Sequence, residues 1–156
     1  MRHAWLLLLC LWLLPGGAAQ ADAFAQLLAR ESAPPGVVFD VDEWDHTALK
    51  WVVPQLEGQI RRLRERFPGL DIAVVSHGEE IFALMQGAER YYPQLHGRVQ
   101  SLVGDGVAFH VCAGHAVMSG HGGRFVDFVQ PVSAGVVTVA EYHRRGYVHV
   151  PVKPQR

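Results

Sequence analysis

The chain has 156 residues, 49% of them apolar and 19% charged, with a formal net charge of −1. That length builds one domain with a full core and is too short for two. The near-neutral charge argues against a nucleic-acid binder.

The first residues have the order of an export signal. Arg2 gives a positive start, Ala4 to Leu14 is apolar, Pro15-Gly16-Gly17 breaks the run, and Ala19-Gln20-Ala21 offers small residues for cleavage. Residues 1–21 therefore read as a signal peptide, residues 22–35 as a helical arm and linker, and residues 36–152 as the α/β domain. The apolar run is too short to span a bilayer, so no stable membrane insertion is expected after cleavage. Loss of residues 1–21, whose one charge is Arg2, takes the net charge from −1 to −2. The short signal and the absence of glycosylation sequons point to a periplasm. Of the 2 cysteines, Cys10 leaves with the signal and Cys112 remains, so no internal disulfide can form. Export places that thiol in an oxidising compartment, where it is used, paired with another molecule, or buried.

Residues 22–31 read as a short amphipathic arm ended by Pro34-Pro35. Residues 36–41 are a β-branched buried strand. Residues 46–67 follow as a long helix, with Leu49, Val52, Val53, Leu56, Ile60, Leu63 and Phe67 at helical spacing. Pro54 predicts a kink or a late start, and Arg61, Arg62, Arg64, Glu65 and Arg66 a solvated face. A strand over 70–76, helical pieces over 78–85 and 93–103, a strand over 107–111 and a short helix over 113–119 come next. A strand near 125–131, a helix over 134–145 stopped by Gly146, and a last strand over 147–150 complete the alternation. Strands alternating with helices predict a three-layer α/β/α fold with a mainly parallel sheet of about five strands.

In open parallel sheets ligands bind beyond the carboxyl ends of the strands. Three loops begin there, carrying His46, His77 and Cys112-Ala113-Gly114-His115. A cysteine between a strand end and a helix start meets unpaired N–H groups and the positive end of the helix dipole, which favour thiolate. Gly114 lets a substrate sulfur approach the backbone. Cys112 is therefore the candidate nucleophile, with His115 or His110 to orient or deprotonate it. Ala113, Gly114, His77 and His46 are candidate substrate-binding residues. The competing reading is that Cys112 is a small buried hydrophobe, as free cysteines often are.

The stretch Gly106-Val107-Ala108-Phe109-His110-Val111-Cys112-Ala113-Gly114-His115 resembles the strand-then-cysteine segment of DsrE/DsrF-like proteins. Pro131-Val132-Ser133-Ala134-Gly135-Val136-Val137 and Arg145-Gly146-Tyr147-Val148 resemble that family's Val-x-Ala-Gly-Val turn and closing Gly-Tyr strand, so the similarity runs from Gly36 to Pro151. The resemblance implies a DsrEFH-like three-layer fold, a homo- or hetero-oligomer, and persulfide relay in sulfur oxidation or tRNA thiolation. Cys112 would be the sulfur-accepting cysteine, and its partners sulfur donor and acceptor proteins or small thiols. The chain departs from the pattern in its export signal and in His115, where a small polar residue is usual.

His110, Cys112, His115 and His121 lie close in sequence, a set that could also hold copper or zinc. Asp40-Val41-Asp42 resembles the aspartate pair of haloacid-dehalogenase-type phosphatases, but Glu43-Trp44 follows, so it reads as a solvated acidic loop. A phosphate loop, a Gly-x-Ser-x-Gly elbow and a c-type haem motif are missing, and no cofactor is expected. The sequence thus predicts a periplasmic sulfane-sulfur carrier or sulfurtransferase-like module. The alternatives are a non-catalytic oligomeric binding module with a structural cysteine, and a Cys/His metal-binding protein.

Overall fold

Near-continuous apolar strands can be satisfied only by a sheet covered on both faces, and the computed structural model has that architecture. It describes residues 23–122 and 124–154. The signal-peptide reading of residues 1–21, Asp22 of the arm and Gly123 lie outside the described residues. The strands β1 (Gly36–Val41), β2 (Asp71–Ser76), β3 (Ala108–Cys112), β4 (Gln130–Val132) and β5 (Val148–Pro151) form one sheet in the order β4-β3-β2-β1-β5. All four pairings are parallel. Both edge strands carry a proline, Pro131 in β4 and Pro151 in β5.

The helices are α1 (Ala23–Leu28), α2 (Leu49–Arg66), α3 (Pro93–Gly104), α4 (Ala113–Met118) and α5 (Gly135–Arg144). Alternation along the strands separates two cores. Val37, Phe39, Val41, Ile72, Val74, Phe109 and Val111 pack with the inward faces of α2 and α3 and with Ala116 of α4. Val38, Ala73, Val75 and Tyr147 face the other way, under Val139 and Tyr142 of α5. This second layer is thin: α5 buries only Gly135 fully and leaves Val136 and Val137 exposed.

Several predicted boundaries move for local reasons. The long helix begins at Leu49 rather than His46, because Asp45 Oδ1 accepts the Thr47 backbone N–H at 2.8 Å and holds residues 45–47 in a turn. Pro54 lies inside that helix, at its sixth residue, so the helix runs through it. Residues 79–84 form a 3₁₀ helix in place of the predicted α-helical piece, with a second 3₁₀ turn over 88–90. Phe125, expected in a strand, makes an isolated antiparallel bridge to Met85, and β4 starts only at Gln130. The arginine face is partly engaged: Arg64 donates to the Asp105 carbonyl, Arg66 donates to the Arg30 carbonyl, and Arg62 lies over the Phe24 ring.

Helix α1 is part of this fold rather than an appendage, since Phe24 and Leu27 are buried in the larger core. Replacing Leu27, which is 1% exposed, by alanine should lower the unfolding free energy by about 2–4 kcal/mol. Urea denaturation measures this, and a loss well under 1 kcal/mol would show an undocked arm.

Candidate functional site

The order of the strands decides where a ligand can enter. From β1 to β4 each crossover steps the same way, so right-handed connections put α2, α3 and α4 on one face. After β4 the chain returns to the far edge beside β1, which places α5 on the opposite face. The loops leaving the neighbouring strands β3 and β4 therefore part to opposite sides, and in such sheets that parting forms the binding crevice. Cys112 ends β3 at this place, in register with Val132 of β4.

Cys112 is the N-cap of α4, and its Sγ accepts the His115 backbone N–H at 3.4 Å. The residue is 7% exposed. A side chain on Gly114 would run into the Ser133 carbonyl, so the loops after β3 and β4 lie against each other, and one on Gly135 would run into the His77 ring, so the loop after β4 also packs on the loop after β2. The space over Gly114, expected to admit a substrate sulfur, is taken by the Ser133 carbonyl, and Cys112 lies where these turns meet. Strand register brings His77, one residue past the Ser76–Val111 pair, to the level of Cys112 on the face under α5.

The predicted histidines divide between the faces. His110, two residues before Cys112 and on the same strand face, binds Tyr142 Oη through Nε2 at 2.8 Å. Its Nδ1 is buried without a hydrogen-bond partner, and burial pushes its pKa down, so the neutral ring is favoured. His77 turns towards β1: its Nε2 lies 2.7 Å from Asp40 Oδ1, and its Nδ1 is 3.9 Å from Asp42 Oδ1. His115, His46 and His121 lie on the other side, around the Phe82 ring, with centroid separations of 5.9, 5.3 and 4.2 Å. His46 also pairs with Glu79 at 2.9 Å, and the buried Nε2 of His115 has no hydrogen-bond partner. Among the described residues no three His, Cys, Asp or Glu side chains come together as a metal-holding group.

Two carboxylates matter here that sequence reasoning missed. Asp40, read as part of a solvated acidic loop, is largely shielded and accepts from His77 and His149, each at 2.7 Å. Burial pushes the Asp40 pKa up, but the two imidazole hydrogen bonds and their charge outweigh it and leave the group below its ordinary value. The Asp40 hydrogen bond raises His77 against the opposing effect of burial. Side-chain alternation could have found this group, because Asp40, His77 and His149 all occupy positions on the face under α5.

Glu80 is fully buried. It accepts from Ser76 Oγ at 2.6 Å, the Gly78 N–H at 3.1 Å and the Glu43 N–H at 2.9 Å, tying the loop after β2 to the loop after β1. Burial raises its pKa despite these three donors. Nothing in the sequence distinguishes it from its neighbour Glu79.

The comparisons with known proteins agree on the fold alone. No family model matches the chain, and no curated protein matches it. A solved structure, that of the protein of unknown function MTH1491 from Methanobacterium thermoautotrophicum, superposes with a TM-score of 0.60 at 27% identity, over 74% of this chain and 97% of that one.

Removing the Glu80 carboxylate would strand three donors. Glu80→Ala should cost about 3 kcal/mol or more in unfolding free energy, against a smaller loss for Glu80→Gln; equal losses in the two variants would contradict the account. The Asp40 cluster gives a pH signature. His77, raised above its ordinary value of 6.5, contributes stability at low pH that is lost as pH rises through its folded value. Asp40, held below 3.8, contributes stability that is lost as pH falls through its folded value. The deficit of Asp40→Asn in denaturation midpoints should therefore be largest between roughly pH 4 and pH 6.5. A pH-independent deficit would refute the coupling.

Proposed function

We propose that the protein carries sulfane sulfur, with Cys112 as the accepting thiol, and that it belongs with the DsrE-like proteins its sequence resembles. The observation that carries this reading is the placement of Cys112 at the parting of the β3 and β4 loops, its Sγ held by a backbone N–H at the start of α4. In the proposed step the Cys112 thiolate attacks the outer sulfur of a donor persulfide. The donor S–S bond breaks, a new S–S bond forms to Sγ, and the donor sulfur leaves with the electron pair and takes up a proton. A partner thiolate then attacks the outer sulfur of the Cys112 persulfide and regenerates the thiolate, with no net oxidation. The buried, unpartnered Nδ1 of His110 is the proposed acceptor of the Cys112 proton, and the His115 N–H stabilises the sulfur anion. His77, packed against Gly135, bounds the approach, whereas His46 lies on the other side around Phe82.

The proposed setting is the periplasm, reached through the export signal, with a carrier role rather than multiple turnover. Self-association fits the exposed Val117 and Met118 of α4 and Val136 and Val137 of α5, which are unusual surface residues beside a crevice. Donor and acceptor are thiol-bearing proteins or small thiols.

Mass spectrometry of the intact protein after exposure to polysulfide tests the reading. A gain of one sulfur atom on the Cys112 peptide is expected, and Cys112→Ser should lose it; equal loading of the variant would end the relay reading. The 7% exposure of Cys112 favours a second reading, a binding module in which the thiol is packing. A thiol that reacts with a disulfide reagent only after unfolding would establish that second reading.

A further inference from the structure

Away from Cys112, a cleft opens between the N-terminal halves of α2 and α3, and neither the sulfur reading nor the fold requires it. We infer that this cleft binds a small organic anion with a flat apolar body, an aryl carboxylate by chemical class. The cavity measures about 390 Å³, at the lower end of small-molecule sites and too small for an extended peptide. Its accessible apolar lining is Pro54, Tyr91, Tyr92 and Pro93, backed by the buried Leu49, Val53 and Leu95. Tyr91 stands at the rim with 70% of its surface in solvent, an aromatic wall that an incoming ring would cover.

Charge selects the ligand. Lys50 lines the cleft with its Nζ 5.3 Å from the centre of the Tyr92 ring, and among the described residues it has no ion-pair partner. Asp45, hydrogen-bonded to Thr47, lies within electrostatic reach of Lys50 without pairing with it, and Glu57 is held by Nε and Nη2 of Arg98. Arg98 also lines the cleft but is paired with Glu57, and Arg90, over the Tyr91 ring at 4.9 Å, adds a further cation beside it. An ammonium outside any close ion pair, beside an aromatic wall, suits a molecule whose carboxylate meets Lys50 while its ring lies against Tyr91 and Tyr92. A neutral molecule of the same shape gains only the apolar part.

The site lies against α2 and α3, whereas the Cys112 crevice opens between the β3 and β4 loops, so the two proposals stand or fall separately. Titrating isotope-labelled protein with phenylacetate, followed by its amide NMR shifts, tests the inference. Saturable shifts are expected at Lys50, Val53 and Leu95, with affinity about fivefold weaker in Lys50→Gln, the size of one exposed charge pair. Phenylacetamide should bind wild-type protein with a similar loss, and Cys112→Ser should bind phenylacetate as wild type does. Lys50 is exposed at the surface, so its replacement leaves the fold intact. Equal affinity of acid and amide would overturn the inference, as would an unchanged affinity in Lys50→Gln or shifts confined to Val117, Met118, Val136 and Val137.

Discussion

A parallel crossover turns to the right because a twisted strand feeding a helix packs back onto its sheet only that way. In this chain that one rule fixes nearly everything of functional interest. Three successive steps from β1 to β4 stack three helices on one face, and the single return step after β4 leaves α5 alone on the other. The unequal layers, the parting of the β3 and β4 loops and the position of Cys112 at their root all follow. A left-handed return would close α5 over the same face as α4, and the loops would not part beside the thiol.

Within that frame the carboxyl edge is held by polar groups of two kinds. Glu80 is a clamp: three donors converge on one buried carboxylate and set the loops after β1 and β2 against each other. Asp40 is a bridge, joining histidines from β5 and from the loop after β2 across the top of β1. The first is insulated from solvent, while the second titrates with it. The mouth of the sheet is thus tied by a buried carboxylate on the side of the larger core and by an imidazole-bound one on the side under α5.

The fold was legible because its signals are periodic. Leu49 to Leu63 recur at helical spacing, and the β-branched runs at 36–41 and 71–76 are too apolar to be anything but buried. What escaped was non-local or shape-dependent. Phe125 and Val126 have strand composition, yet Phe125 bridges to Met85, forty residues earlier in the sequence, a pairing no window can see. Asp40 looks like a solvated acid because its two histidine partners come from the loop after β2 and from β5, and Glu80 is set apart from Glu79 only by the Glu43 N–H that arrives from the loop after β1. Of the candidate site, the Cys112-Ala113-Gly114-His115 turn could be placed from its strand-to-helix context. The scattering of the histidines over both faces could not, since it depends on where Phe82 and Tyr142 come to rest.

The prolines in the two border strands have an effect on assembly. Pro131 in β4 and Pro151 in β5 each delete a main-chain donor from a rim of the sheet, and β4 is only three residues long. A neighbouring molecule therefore finds no continuous template on which to lay a further strand. That works against ribbons that lengthen without limit by adding strand to strand.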